Sequence, residues 1–520
     1  MTDSAEIARL KAEAAQAAAE AAAAKAAAAQ AALDAAIAST PASAVEQAGE
    51  PRTTDASGEP PAQAADAATS AEPAAAAEQP QQPVQEPVQD PAPAQAETAA
   101  AADQASGSQE AEETGYTAQV RSGYSFSSPT LPVGTYLDTL SGSEPAAVKG
   151  LSVGIPLGLL NRHALVAGAT GTGKTRTLQL LAEGLSAAGV PVFLADVKGD
   201  LTGLAEAGAS NDKIASRIAS TGQDWTGQSF PIELFNLGGS DSGAGISGTP
   251  IRTTVTEFGP ILLSRVLGLN DTQASALQLV FHWADSQGLA PLDLKDLRAV
   301  VDYLTNTEAG KEELKTIGGV SAATAGVILR EIAALEAAGG EAFFGEPALD
   351  VRDLMRVSHD GRGIISALEL ADIQSQGTLF STFLMWLLAE LFETLPEVGD
   401  PDKPTMVFFF DEAHLLFSGA SKAFLEAVVR TVRLIRSKGV GVVFVTQTPK
   451  DIPSDVLAQL GSRIQHGLRA STPDDFKKLK ATVQTFPKTS LELDEVLTTL
   501  GTGEAVVTVL DPKGNPTPVT

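Results

Sequence analysis

The sequence predicts an α/β fold on a mainly parallel sheet, and three stretches carry that prediction. The first is GATGTGKT, residues 168–175, which follows the short apolar run HALVAG and precedes the amphipathic segment RTLQLLAEGL. A glycine, four residues, then Gly-Lys-Thr between a strand and a helix is the pattern of a phosphate-binding loop. The second is GVPVFLADVKGDLTGLA, a buried-strand pattern ending in Asp196, Lys198 and Asp200. Strand, helix and strand in close succession form the unit of a parallel sheet, with ligands at the carboxyl ends of its strands. The third is TMVFFFDEAH, in which Val407 to Phe410 run into Asp411 and Glu412. An apolar strand ending in an acidic pair after a full phosphate loop is the arrangement of the second nucleotide motif, Walker B.

Taken in order, residues 1–39 form an alanine-rich segment with scattered Glu, Lys and Gln, which predicts a helix from intrinsic propensity alone. Its heptad positions hold Ala, so a solvated helix is favoured over a coiled coil. Residues 40–115 are rich in Pro, Ala and Gln and read as a disordered acidic linker. No aromatic residue precedes Tyr116. A segment without large apolar groups cannot offset the entropy of its own ordering. Residues 116–150 alternate apolar residues with glycines and predict a short β lead-in. The nucleotide-type α/β domain is assigned to 151–254 and 346–520, with FPIELFN (230–236) as a further strand.

Between those parts, residues 255–345 carry four helical apolar patterns with Asp271 and Ser321 as caps, and predict an all-helical insertion. Its His282 and Trp283 read as core or interface residues rather than ligands. The α/β pattern returns with GIISALEL, a helix through Leu379 to Leu395, and the acidic-pair strand. SKAFLEAVVRTVRLIRSKG then buries Phe424, Val428, Val432 and Ile435 on one helical face and repeats Arg430, Arg433 and Arg436 on another. The strand VGVVFVTQT ends in Thr446 and Gln447, beside the acidic pair, where a polar tip can sense the outer phosphate. A helix through PDDFKKLKATV and a strand in GEAVVTVLD close the chain.

The chemistry of these residues is specific. Glycines let the backbone N–H groups of Gly168, Ala169, Thr170, Gly171, Thr172 and Gly173 converge on phosphate oxygens at the positive end of the following helix. Lys174 can reach the outer phosphates of ATP, the Thr175 hydroxyl and Asp411 can hold Mg²⁺, and Glu412 can polarise the attacking water.

Composition narrows the alternatives. The formal charge is −28, and residues 1–113 carry 19 Asp/Glu against 4 Lys/Arg, so the remainder is acidic as well. Nucleic-acid contact would therefore need a local patch or lined channel. With no cysteine, disulfides and thiolate metal sites are excluded. FLMWLLAELF (383–392) is too short and too charged to span a membrane, and MTDSAEIARL is no secretory signal, so a cytoplasmic protein without a membrane partner is expected.

The order and spacing of the motifs, above all LNRHALVAGATGTGKTRTLQLLAEGLSAAGVPVFLADVKGDLTGLA, LFETLPEVGDPDKPTMVFFFDEAHLLF and VRLIRSKGVGVVFVTQTPKDIPSDVLAQLGSRIQHGLRA, resemble the HerA/FtsK group of RecA-like motor ATPases. Within it they look most like the bacterial HerA-like proteins labelled by a domain of unknown function. The resemblance covers about residues 135 to 515. It implies a RecA-like P-loop NTPase fold with an all-helical insertion behind a disordered Ala/Pro-rich arm. It also implies a homo-hexameric ring with ATP and Mg²⁺ at sites between subunits, DNA as the translocated polymer, and an arginine- and proline-containing tail past Thr520. By position, Lys174 and Thr175 match the phosphate-loop pair, Asp411 and Glu412 the metal and catalytic acids, and Gln447 the sensor. Arg436, then Arg433, match the arginine supplied to the neighbouring site. HerA translocases carry an N-terminal barrel that docks a nuclease, and residues 116–150 are short for one. The alternative reading is a nucleotide-dependent scaffold or switch whose acidic arm recruits a protein partner.

Overall fold

The computed structural model describes residues 115–141, 145–237, 248–370, 377–417 and 422–520. The expected N-terminal helix and linker lie outside them. At the start of the described chain the β lead-in is corrected: α1 (Gly115–Gly123) is a helix. Its glycine-flanked, alternating sequence looks strand-like, but tertiary contacts decide otherwise. Val120 and Tyr124 are buried, the Tyr124 hydroxyl lies within hydrogen-bonding reach of the Val507 and Pro518 carbonyls, and the Tyr116 hydroxyl donates to the Val519 carbonyl. The hairpin β1 (Thr130–Asp138) and β2 (Ala146–Pro156) follows as predicted, although β2 continues past residue 150.

The strand β3 (Ala164–Ala167) leads through the glycine loop into α2 (Lys174–Ala187), and β4 (Val192–Asp196) comes next. After α3 (Asp212–Thr221) come β5 (Ile232–Asn236) and the short β6 (Thr249–Pro250). The helical insertion then appears as α4 (Val255–Val266), α5 (Asp271–Ser286), α6 (Leu294–Asn306), α7 (Glu308–Ile317) and α8 (Ala322–Leu335). Gly259, at φ 72°, and Pro260 kink α4. Ser321 caps α8 as expected, whereas α5 is capped by Asn270, one residue before the predicted Asp271, in a reciprocal capping box with Gln273. Trp283 is buried and its indole N–H donates to Glu313 at 2.8 Å, but His282 is exposed and belongs to no core.

The chain returns to the sheet with β7 (Ile365–Glu369), then α9 (Gly377–Thr394), β8 (Met406–Phe410), α10 (Lys422–Ile435) and β9 (Val440–Thr446). It closes with β10 (Ser462–His466), α11 (Pro473–Val483), α12 (Leu493–Thr499) and β11 (Ala505–Thr508). Strand order is β11-β10-β3-β9-β8-β4-β7-β5-β6, parallel throughout except for β11. Thus β9 lies between the glycine-loop strand and the acidic-pair strand.

Strands buried on both faces read as unbroken apolar runs. In β8, Phe408 and Phe410 face the core shared with the insertion and α9, while Val407 and Phe409 face the core shared with α1, α2 and the hairpin. The insertion therefore has no separate core. Phe408 stacks on Phe410 at 6.3 Å and Phe410 on Phe444 at 5.7 Å, which locks β8 against β9. Residues 383–388 and Leu391 of the apolar run are likewise core, and among the described residues no single helix is long and apolar enough to cross a membrane.

Candidate active site

At the carboxyl end of β3 the chain must turn tightly around empty space, and its glycines make this feasible. Gly171 and Gly173 have φ of 80° and 122°, a region that costs other residues steric strain. A side chain at Gly168 would collide with His466. The loop is tied down from three sides: Gly168 N–H donates to Thr446 O, Ala169 N–H to Gly467 O at 2.9 Å, and Gly503 N–H to Thr172 O at 2.9 Å. The first N–H groups of α2 have no carbonyl one turn back in the helix to bind, which leaves them available to an anion. Lys174 is buried, and its ammonium donates to Gly168 O at 2.7 Å and Ala169 O at 3.1 Å. Burial pulls its pKa below the usual lysine range, against the opposing pull of Glu412 and Asp411. Thr175 follows it in the first turn of α2.

Asp411 and Glu412 stand at the carboxyl end of β8, both under 10% exposed. Asp411 is anchored through its N–H to Ala195 O on β4, and Ala413 N–H reaches Val445 O on β9 at 2.8 Å. Between them Glu412 has φ 47°, a left-handed conformation that a non-glycine residue holds only when neighbouring bonds impose it. Burial pushes the Asp411 carboxyl up to about 6. Burial would raise Glu412 as well, but the Lys198 ammonium, 2.5 Å from its Oε1, draws it below the ordinary glutamate value. His414 Nδ1 lies 3.3 Å from the other Glu412 oxygen.

Gln447 directly follows β9 and is exposed, so the interposed strand carries it between the glycine loop and the acid pair. All the expected groups except the arginines therefore meet at the carboxyl edge of the sheet.

Arg433 and Arg436 lie at the other edge. Arg433 lies in the last turn of α10 and Arg436 opens the 3-10 turn that follows, immediately before β9 begins, and β9 runs parallel to β3, so they are a strand length away from Lys174. There they line a pocket of about 530 Å³ together with Arg162, His163 and Arg463. Among the described residues the carboxylate partner of Arg436 is Asp400, at 3.8 Å. Among the described residues the buried Arg162 Nε has no hydrogen-bond acceptor. His163 ties this edge together: its Nε2 bonds Val432 O at 2.7 Å and its Nδ1 accepts Val442 N–H at 3.1 Å, joining α10 to β9. Burial, opposed by the first of these bonds and assisted by Arg436, lowers its pKa to about 4, so the ring is neutral with its proton on Nε2.

Several of these groups escaped sequence reasoning. Lys198 stood in a quoted motif, but only the β4–β8 pairing shows that it overhangs the acids. His466, whose ring bonds Thr177 Oγ1 and Glu504 O at 2.9 Å each, and His163 had no local signal.

A family model described as helicase HerA-like C-terminal matches residues 143–520. Solved structures similar to this chain include the bacterial conjugative coupling protein TrwBdeltaN70 in its trigonal form with sulphate, at 16% identity and TM-score 0.47, covering 73% of this chain and 88% of that one. The plasmid coupling protein TrwB in complex with ADP and Mg²⁺ is 16% identical at TM-score 0.47, covering 75% and 94%. VirB4 of Thermoanaerobacter pseudethanolicus is 14% identical at TM-score 0.41, covering 66% and 86%. No curated protein matches the chain.

Proposed function

The chain belongs to the helicase HerA-like C-terminal family, and on that premise we propose that it is a cytoplasmic, Mg²⁺-dependent ATPase working as a homo-hexameric ring that moves DNA. The observation that carries the ATPase reading is the sheet order. It gathers the glycine loop, Lys174, Gln447, Asp411 and Glu412 at one edge and leaves Arg433 and Arg436 at the other. The DNA step rests on family analogy.

The residues present suit a hard cation. Among the described residues Asp411 Oδ2 is buried without a hydrogen-bond partner, and carboxylate oxygens of Asp196, Asp200 and Asp411 lie within 4.8 Å of one another. Asp196 is already engaged by the N–H groups of Lys198, Gly199 and Leu201, so Asp411 with Thr175 would hold the ion. Bound Mg²⁺ neutralises charge on the outer phosphates. Lys174 would exchange the loop carbonyls for phosphate oxygens. Glu412 would orient the attacking water and accept its proton, and Gln447 would sense the outer phosphate. Arg436, with Arg433 second, would reach the nucleotide of an adjacent copy and stabilise charge on the transferring phosphoryl group.

A concentration series tests this: ATPase rate of wild type and Arg436→Ala, with and without duplex DNA at fixed moderate salt. Specific activity that climbs with concentration, rises with DNA and collapses in the variant supports the ring motor. The second reading, a nucleotide-dependent switch with an acidic arm for a protein partner, draws on the charge of −28. A slow rate indifferent to concentration and DNA would favour it. Duplex affinity that falls steeply with salt would speak against it.

A further inference from the structure

The acid pair already has a positively charged neighbour in this chain. Lys198 Nζ lies 2.5 Å from Glu412 Oε1 and 3.8 Å from Asp411 Oδ2, while the acids' side chains are only 10% and 4% exposed. The lysine's placement does not depend on a wandering side chain alone. Asp196 accepts the backbone N–H groups of Lys198, Gly199 and Leu201 at 2.8 to 3.0 Å, and the β4–β8 pairing sets Ala195 opposite Phe410. Residue 198 is thereby fixed above residues 411 and 412. Its side chain is 43% exposed, so the ammonium can leave toward solvent without disturbing the core.

The other titratable groups facing this point are Lys174, Asp200, Asp196 and His414. Lys174 is turned onto the carbonyls of Gly168 and Ala169 and does not reach the acids. Exposed ion pairs contribute little, because water screens them. This one differs in that both acids are buried and would be left uncompensated if the ammonium were absent. The oxygen of Glu412 that Lys198 occupies cannot at the same time accept a proton from water.

We propose that Lys198 is a positioning residue that locks Glu412 and stands in for a cation at the acid pair until nucleotide and its metal ion displace it. This rests on the ATPase reading given above. The lock belongs to the nucleotide-free protein, so its removal acts on binding of the metal–nucleotide complex rather than on the chemical step.

The test uses the full chain as wild type, Lys198→Ala, Lys198→Gln and Lys198→Arg. Melting without nucleotide is followed in EDTA and during a Mg²⁺ titration, with NaCl of matched ionic strength as control. Wild type and Lys198→Arg should melt alike in EDTA and respond little to Mg²⁺. Lys198→Ala and Lys198→Gln should melt lower in EDTA and recover as Mg²⁺ rises. In steady-state assays both should show an apparent KM for Mg·ATP about tenfold lower, within the usual range for one coupled site, with kcat within about twofold of wild type. Neutral variants that melt like wild type in EDTA and share its Mg²⁺ response overturn the proposal. So does a collapse of kcat at unchanged KM, which would place Lys198 in the transition state. A wild type that binds no nucleotide would instead overturn the ATPase reading, and the EDTA comparison would still decide the lock.

Discussion

The two edges of the central sheet differ in how their charges are matched. At the carboxyl edge Lys198 sits on Glu412 and near Asp411, and Lys174 rests on the loop carbonyls. At the amino edge Arg162, Arg433, Arg436 and Arg463 surround one pocket, with Asp400 as a distant carboxylate. In a chain of net charge −28 that second grouping is conspicuous. The contrast teaches that one edge is electrostatically closed by its own residues, while at the other, among the described residues, four arginines meet around a pocket with Asp400 as the carboxylate beside Arg436. On the proposed reading they are two halves of one site, supplied by adjacent copies.

The largest expected effect breaks the carboxyl edge alone. Lys174→Ala should abolish nucleotide binding, while Glu412→Gln should retain affinity and lose turnover by about 10² to 10⁴-fold, the range for a general base. Equilibrium binding of a fluorescent nucleotide with single-turnover hydrolysis separates the two, and equal affinity in wild type and Lys174→Ala would remove the site assignment. Next comes the amino edge. Arg436→Ala should keep nucleotide affinity and lose about 10³-fold in rate, with Arg433→Ala losing less. Mixing Arg436→Ala with Glu412→Gln should restore part of the activity, since some interfaces then pair an intact arginine with an intact acid. A mixture no more active than its components would show that the edges do not cooperate across copies.

A smaller effect sharpens the comparison through pH. His163 is held neutral with its pKa lowered to about 4, so as pH falls the unfolded chain takes up the proton first. Its contribution is intact above the ordinary histidine value and is lost between about 6.5 and 4. That loss should approach about 3 kcal/mol at most. Chemical denaturation at pH 7 and pH 5 should show a larger drop for wild type than for His163→Gln, and parallel drops would exclude His163 as the source. The smallest change lies away from both edges. Asn270→Ala removes the α5 cap at a cost of about 1 kcal/mol and should leave nucleotide affinity unchanged. A shift in affinity would mean that the insertion is coupled to the site.

Much of the carboxyl edge was legible because its chemistry is written locally. The glycines, Lys174 and Thr175 are consecutive, and Asp411-Glu412 follow their own strand. The amino edge was half legible: Arg433 and Arg436 stood out by helical spacing, but Arg162 and Arg463 join them only through the pairing of β3 with β10. The strand-like reading of residues 116–124 failed for a related reason. Local alternation is a weak preference, and the contacts of Tyr116 and Tyr124 with residues nearly four hundred positions later overrode it.

By itself the sequence determined the α/β class, the helical insertion, the glycine loop and the acidic pair, since each depends on periodicity or steric demands within a short segment. Only the tertiary structure decided that β9 lies between β3 and β8, that Lys198 covers Glu412, and that His163 binds α10 to β9. Strand order and cross-strand side-chain meetings arise from burying both faces of one sheet at once, and no short segment encodes that choice.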